Sequence, residues 1–217
     1  MKLQKGLINL FFLFVATLNS NCQSKTSNWI SGSLNKQNNE LLVISNNSNI
    51  FQKISFGVGV GFGFDTKFSK KASLNYGLNL VTHNNLIAIG DIASSISNTS
   101  FQIPVSLKYN LHLKSKNIIV LMSGVNMLIQ GGNSTQLSSD DYVLKIEKES
   151  GLFPLFHGAL GYSWKKRGEH QILLKYNYGF RRTGSQSIYQ NENLVYKLNL
   201  TTTYFEFEYR IVINKSP

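Results

Sequence analysis

The sequence lacks three features that would define many protein classes. It contains one cysteine, Cys22, so a disulfide framework within one chain is excluded. After the N-terminal region, no segment reaches the roughly 20 consecutive apolar residues of a transmembrane helix. No window has the periodicity of an amphipathic helix either. The chain is therefore predicted to be all-β.

Charged residues are few and unbalanced. They make up 15% of the chain, with 22 Lys and Arg against 11 Asp and Glu, a formal net charge of +11. A basic balance can indicate nucleic acid or an anionic surface as partner. No Arg-rich helix or aromatic nucleic-acid motif accompanies the charge, so no nucleic-acid partner is predicted. The clustered cations lie in short segments between predicted strands: Lys67, Lys70, Lys71, Lys114, Lys116, Lys165, Lys166 and Arg167.

Motifs of catalysis, metal binding and cofactor binding are also missing. The four histidines are scattered without ligand spacing, and there is no G-x-S-x-G sequence. The glycines between Gly57 and Gly63 lie inside a predicted strand, where the phosphate-cradling geometry of a strand-to-helix turn is absent. We expect no metal, no cofactor and no enzymatic activity.

The N-terminus has the pattern of a secretory signal peptide. Lys2 and Lys5 precede an apolar run of about a dozen residues, and small residues end at Cys22. Cleavage is predicted after residue 22. Cys22 is either removed with the signal or retained and acylated; Asn19 and Asn21 occupy the lipobox positions where an aliphatic and a small residue are usual.

The segment 101–113 alternates apolar and polar residues without a break, from Phe101 to Leu113. A period of two predicts an extended strand with one apolar and one polar face. With a tilt near 45°, its roughly dozen residues would rise about 28 Å. This rise is close to the apolar band of an outer-membrane barrel, about 25 Å.

Six further segments are also predicted to be strands. Short connections (65–71, 114–116, 165–168) alternate with long polar ones (84–99, 131–150, 183–195), the pattern of an outer-membrane barrel with periplasmic short turns. Closure requires an even number of strands, so an eighth is expected in the segment 23–50, at Asn28–Asn35 or at Glu40–Asn46. The predicted strands lie at 51–64, 73–80, 101–113, 117–130, 152–164, 169–182 and 205–213.

The last strand has a phase problem. Tyr196, Leu198 and Leu200 are even-numbered, whereas the apolar residues from Phe205 to Ile213 are odd-numbered. A bulge near 201–203 would reconcile them, and so would an upper part that stands above the lipid.

Two kinds of barrel fit the alternation. A soluble lipocalin-like barrel would place its apolar residues inside and solvate its outer wall with Lys and Glu. The polar face here is mostly Gly, Ser, Asn and Gln, which suits a crowded lumen better. We therefore predict a closed, antiparallel, up-and-down transmembrane β-barrel, with the barrel at 51–213 plus a first strand within 23–50, and a tail at 214–217.

Short motifs support this interpretation. The segment Ile103–Tyr109 (IPVSLKY) resembles the I-P-x-x-L-K-Y segment of the small outer-membrane β-barrel "porin family" proteins of Bacteroidota. Residues 174–179 (LKYNYG) resemble that family's R-Y-x-Y-G strand, with Lys175 in place of Arg. Residues 207–210 (FEYR) resemble its closing G-Y-R-F without the glycine and the terminal aromatic. The resemblance implies an eight-stranded barrel, generally of unassigned molecular function.

Five charged residues fall on the predicted lumen face, where they are the candidate site. The cations would face the carboxylates, either as a constriction that selects a solute or as an ion network that fills the lumen. An eight-stranded barrel is about wide enough for side chains alone. The ion network is therefore predicted. The residues are Lys108, Lys175, Glu206, Glu208 and Arg210.

The predicted function is structural or surface-interactive, with a narrow solute channel as the alternative. Expected partners are outer-membrane lipids and the barrel-assembly machinery, and the long loops are a candidate site for an extracellular ligand. The predicted location is the bacterial outer membrane.

Overall fold

The computed structural model describes residues 26–38, 40–44, 50–89, 92–113, 117–139, 141–165 and 168–213. The predicted signal peptide (1–22), the predicted tail (214–217) and the basic residues Lys114, Lys116, Lys166 and Arg167 lie outside these ranges. Within them there is no helix with the length and hydrophobicity needed to cross a bilayer.

Eight antiparallel strands close into a barrel, which confirms the predicted fold class. Their order around the barrel is β1-β13-β10-β9-β6-β5-β4-β3, so each strand pairs with its neighbours along the chain and β13 pairs with β1. The strands are β1 (Thr26–Gln37), β3 (Ile50–Lys67), β4 (Ala72–Ile89), β5 (Ile92–His112), β6 (Ile118–Gln130), β9 (Gly151–Lys165), β10 (Glu169–Gly179) and β13 (Tyr204–Ile213).

The first strand of the barrel is the first of the two segments proposed from the sequence. Trp29 on β1 is opposite Gly63 on β3 and Val212 on β13, so β1 closes the barrel. The competing segment, Glu40–Asn46, overlaps a strand outside the barrel.

The remaining five strands form a second sheet in the order β2-β12-β11-β8-β7. This upper sheet lies above five neighbouring barrel strands, and its strands follow the same order as β1, β13, β10, β9 and β6. The order is the same because each of these five barrel strands is joined to an upper strand by a short break. Its strands are β2 (Glu40–Ile44), β7 (Asn133–Ser138), β8 (Tyr142–Lys148), β11 (Arg182–Gln190) and β12 (Asn193–Thr201).

The five breaks lie at one level. The amide of Asn38 donates to the carbonyl of Thr203 (2.8 Å), and that of Glu149 donates to the carbonyl of Thr183 (2.8 Å). Gln130 Nε2 donates to the carbonyls of both Glu149 and Thr183. Hydrogen bonds between neighbouring breaks therefore replace the interrupted ladder.

The three segments predicted as long loops are instead mostly strands. Residues 84–99 continue the β4–β5 hairpin, 131–150 contain β7 and β8, and 183–195 contain β11 and the start of β12. Their Asn, Ser and Thr content suggested loops, but strand propensity depends strongly on the neighbouring strands. Here pairing within the upper sheet and hairpin satisfies the backbone.

The barrel wall is mostly apolar outside and mostly polar inside. Large apolar side chains are exposed on its strands, and most of the buried side chains are polar. Buried apolar exceptions include Val120, Met122, Leu128, Phe153, Leu155 and Leu173. On β13 the exposed residues include Phe205 and Phe207, and the buried ones include Glu206 and Glu208.

This polarity inverts in the upper sheet. From Tyr196 onward, even-numbered residues are buried along both β12 and β13, but they change from Leu198 and Leu200 to Glu206 and Glu208. The phase change suspected from the sequence is therefore a change in side-chain character between two separate strands. A buried apolar cluster holds the upper sheet together: Leu144, Ile146, Ile188, Val195, Tyr196, Leu198 and Leu200.

The upper sheet is also tied to the β4–β5 hairpin. Lys148 Nζ donates a 2.6 Å hydrogen bond to the carbonyl of Ser97, and partial burial lowers the pKa of Lys148. In the apolar cluster, burial raises the pKa of Tyr196 to about 12, so its phenol stays neutral at physiological pH.

We expect Leu198→Ala to loosen the upper sheet selectively. Leu198 is buried between neighbours in the apolar cluster, and such truncations cost about 2–5 kcal/mol. Hydrogen–deuterium exchange should quicken at β11 and β12 and stay unchanged at β10 and β13. Lys197→Ala, on the opposite face of the same strand, is the control. Equal loosening of the barrel would contradict a separate upper core.

Candidate functional site in the barrel interior

Among the side chains that the structure describes, six charged ones lie inside the barrel and are nearly completely buried. Three are cations and three are carboxylates, so their formal charges cancel. They are Lys108, Lys175, Arg210, Asp65, Glu206 and Glu208.

The lower group is centred on Lys108. Its Nζ lies 2.6 Å from Asp65 Oδ2 and donates to Gln171 Oε1 at 3.2 Å. Asn75 Nδ2 donates to the other oxygen of Asp65 at 2.6 Å. Because Lys108 is on β5 and Gln171 is on β10, this group spans the interior from wall to wall.

The middle group is centred on Glu208. Arg210 Nε donates to Glu208 Oε1 at 2.7 Å, and Lys175 Nζ contacts the other Glu208 oxygen. Lys175 also lies 3.7 Å from Glu206 Oε2, which accepts a hydrogen bond from Asn177. Each carboxylate therefore has a cation beside it, as buried charges require.

Arg210 joins the two groups. Its Nη1 donates to Asn75 Oδ1 at 3.2 Å, and its guanidinium lies 4.0 Å from the centre of the Trp29 ring. A cation held over an indole face is stabilised by the ring quadrupole.

Two glycines make room for this stack. A Cβ on Gly63 would lie 2.4 Å from Trp29 Cζ2, and one on Gly77 would lie 2.8 Å from the same atom. Any side chain at either position would displace the indole on which Arg210 rests. The glycine row of β3 thus has a packing role at Gly63.

Above the ion pairs, Tyr204 crosses the interior. Its hydroxyl donates to Gln102 Oε1 at 2.9 Å, and Asn126 Nδ2 donates to the same oxygen at 2.8 Å. The ring lies 5.2 Å from that of His83. β13 and β5 are on opposite sides of the barrel, so Tyr204 obstructs the lumen where it packs with Leu128, Phe153 and Leu155.

Some buried polar atoms in the lumen have no protein hydrogen-bond partner. They include Gln102 Nε2, Asn126 Oδ1 and His83 Nδ1, close to Tyr204. Buried groups of this kind are commonly satisfied by single water molecules.

The structure places all five predicted site residues inside the barrel. Lys175, Glu206, Glu208 and Arg210 form one group, but Lys108 pairs with Asp65 rather than with Glu206 or Glu208. Asp65 was missed because residues 65–71 were predicted to be a turn, whereas β3 extends to Lys67. The inward row of odd-numbered residues from Gly57 continues to Asp65 and could have identified it.

Three uncharged partners were also missed: Trp29, Asn75 and Gln171. Trp29 lies on the strand with the weakest alternation, which hid its inward position. Asn75 and Gln171 were on predicted polar faces, but the sequence does not indicate which strands face each other across the lumen.

We expect Lys175→Ala to lower the melting temperature in detergent. The substitution leaves Glu206 without its cation and Glu208 with only Arg210, and breaking a buried pair typically costs about 3–5 kcal/mol. Lys165→Ala, at an exposed position on β9, is the control. The double variant Lys175→Met/Glu206→Gln should recover part of the loss, because it leaves Glu208 paired with Arg210. An unchanged melting temperature for Lys175→Ala would show that the pairs do not contribute.

Comparisons with known proteins identify the type of fold. No family model matches the chain, and no curated protein matches it either. The outer membrane protein OprG from Pseudomonas aeruginosa is similar in structure, with a TM-score of 0.52 and 11% identity over 88% of this chain and 97% of that chain. This likeness shows that the chain has the fold of a small outer-membrane barrel.

Two other solved structures resemble it less closely. The outer membrane protein AlkL, determined in DMPC lipid bilayers, has a TM-score of 0.44 and 11% identity over 91% of this chain and 95% of that chain. The translocator domain of the autotransporter NalP from Neisseria meningitidis has a TM-score of 0.39 and 8% identity, covering 98% of this chain and 96% of that chain.

Proposed function

We propose that the protein is an integral outer-membrane β-barrel with a structural or surface-interactive role and a lumen closed by its own side chains. The observation that carries this proposal is the combination of an apolar outer wall with a buried, charge-neutral interior. The proposal includes no catalytic step.

The outer wall supports membrane insertion over a soluble barrel. Large apolar side chains are exposed around the barrel, and patches of this extent are rare on soluble monomers. The eleven residues of β10, tilted by about 45°, would rise roughly 26 Å, which matches the apolar band of such barrels. Exposed examples on the eight successive strands are Leu34, Val60, Leu80, Leu107, Leu121, Leu160, Leu174 and Phe207.

The upper sheet supports an orientation with the short turns in the periplasm. Its apolar cluster is buried and its opposite face carries Lys145, Glu147 and Lys197, the arrangement of a β-structure in water. We therefore assign the upper sheet to the extracellular side, where it offers a polar surface for recognition. The β7–β8 hairpin is its most exposed part: all six residues of β7 are exposed.

The proposal also includes a family for this protein and its partners. The chain is proposed to belong with the small outer-membrane "porin family" barrels of Bacteroidota, because its IPVSLKY segment resembles that family's I-P-x-x-L-K-Y segment. We assign export to a cleaved signal peptide and insertion to the barrel-assembly machinery. Lys67, Lys70 and Lys71, exposed in one short turn, would meet anionic headgroups of the inner leaflet.

Membrane insertion predicts a large effect of charge on the outer wall. Leu174 lies at the middle of β10 between Leu160 and Phe207, and an Arg at the bilayer midplane costs about 2–4 kcal/mol. Leu174→Arg should therefore reduce folding into lipid vesicles, measured by the heat-modifiable gel shift. Leu194→Arg, at an exposed leucine of the upper sheet, should be neutral. A soluble barrel would tolerate both equally.

The alternative function, a narrow solute channel, is tested by conductance. The bridges from Lys108 to Gln171 and from Tyr204 to Gln102 cross the lumen at two levels, so planar bilayers containing the protein should show no steady openings. Tyr204→Ala, which removes the upper obstruction only, should also stay closed because the ion pairs remain. Steady openings of the unaltered protein would favour the channel.

A further inference from the structure

Exposed cations occur at the level where the barrel strands break. Lys36 lies near the upper end of β1 and faces outward. Arg181 lies in the break between β10 and β11 and is exposed. A third cation, Arg182, is already paired with Glu149 at 3.4 Å. Among the described side chains, no carboxylate pairs with Lys36 or Arg181.

An aromatic surface lies directly beneath these cations. The ring of Phe180 packs edge-on against Phe156 (5.6 Å) and Tyr178 (5.0 Å). On the next strand, Phe205 packs against Tyr176 at 4.8 Å. All five rings are substantially exposed on the outer wall, so they form an apolar surface for acyl chains.

Lys36 and Arg181 flank this surface. Lys36 is opposite Phe205, and Phe205 is opposite Tyr176, so β1 and β10 are separated only by β13. Arg181 lies five residues beyond Tyr176 along the chain, so two strand spacings across the wall and this step along it place the Lys36 and Arg181 backbones roughly 19 Å apart, with the aromatic surface between them. On the other side of Lys36, the register continues to Phe56, Asn84 and Ser97, which carry no charge. The cation next to this row, Lys148, donates to the carbonyl of Ser97.

We propose that this surface binds the phosphorylated glycolipid of the outer leaflet, lipopolysaccharide, through the phosphates of its lipid A. This inference rests on the proposed membrane insertion. Lys36 and Arg181 would each meet one phosphate, and the exposed aromatic rings would contact the acyl chains. Arginine binds phosphate oxygens through two parallel hydrogen bonds and lysine binds them as a point charge.

The chemistry favours this glycolipid over an ordinary phospholipid. Two separated cations match two phosphates on one rigid headgroup, whereas a phospholipid offers one. Cations that would meet inner-leaflet phospholipids lie at the opposite end of the barrel, in the turn with Lys67. The aromatic surface beneath Lys36 and Arg181 explains why the site would select an acylated ligand.

The test uses the protein purified from membranes and reconstituted into phosphatidylcholine nanodiscs. Bisphosphorylated lipid A, dephosphorylated lipid A and phosphatidylglycerol are titrated separately, and bound lipid is counted by native mass spectrometry. We expect one tightly bound lipid A, with weaker binding of the other two. Lys36→Ala/Arg181→Ala should weaken lipid A binding at least about tenfold, because two charge-assisted contacts are lost.

The matched control is Lys67→Ala/Lys145→Ala, which removes the same charge from a lower turn and from the upper sheet. It should bind lipid A as the unaltered protein does. The proposal would be overturned if Lys36→Ala/Arg181→Ala bound lipid A as tightly as the unaltered protein does. It would also be overturned if dephosphorylated lipid A or phosphatidylglycerol bound as tightly as bisphosphorylated lipid A. Heat-modifiable migration of the same samples separates the two hypotheses: a protein that inserts but does not select lipid A refutes only this inference, and one that does not insert refutes both.

Discussion

The structure depends on charge neutralisation inside a narrow barrel. Eight strands leave an interior just wide enough for side chains, so an inward charge has no bulk water and must find its counter-charge on another strand. Glu208 meets this requirement between Lys175 and Arg210, and Asp65 does so beside Lys108. The ion pairs are at once the filling of the lumen and cross-links between its walls.

The same constraint explains the residues around the ions. Arg210 needs a surface on which its guanidinium can rest, and Trp29 provides it only because Gly63 and Gly77 lack side chains. Asn75 then bonds to both Asp65 and Arg210, so the two ion groups act as one unit. A buried unit of this kind favours a scaffold over a solute filter, since a filter usually presents an excess of one sign.

Much of the barrel could be predicted from the sequence, because the alternation of apolar and polar residues indicates strands whose two faces meet different environments. It identified the strand containing Ile103 to Tyr109 and placed Lys108 inside. It was weaker for β1, whose inward residues include both Trp29 and serines, and it could not choose the strand that closes the barrel. Alternation also says nothing about contacts across the lumen, so Lys108 was expected to pair with Glu206 or Glu208 rather than Asp65. The upper strands β7, β8 and β11 were missed, since the Asn- and Ser-rich segments that contain them look like loops until a neighbouring strand is known.

The level of the strand breaks has a consequence for how deeply the molecule can be immersed. Below the breaks, the outward side chains include the rings of Phe205 and Phe180, which would be exposed to water if the protein moved up out of the lipid. Above the breaks, the outward side chains include Lys197 and Glu147, which would be buried in lipid if the protein moved down. A uniform wall could slide along the membrane normal to suit a thicker or thinner bilayer, but this wall has a single depth of lowest free energy. A bilayer of different thickness would therefore have to adjust its lipids around the protein.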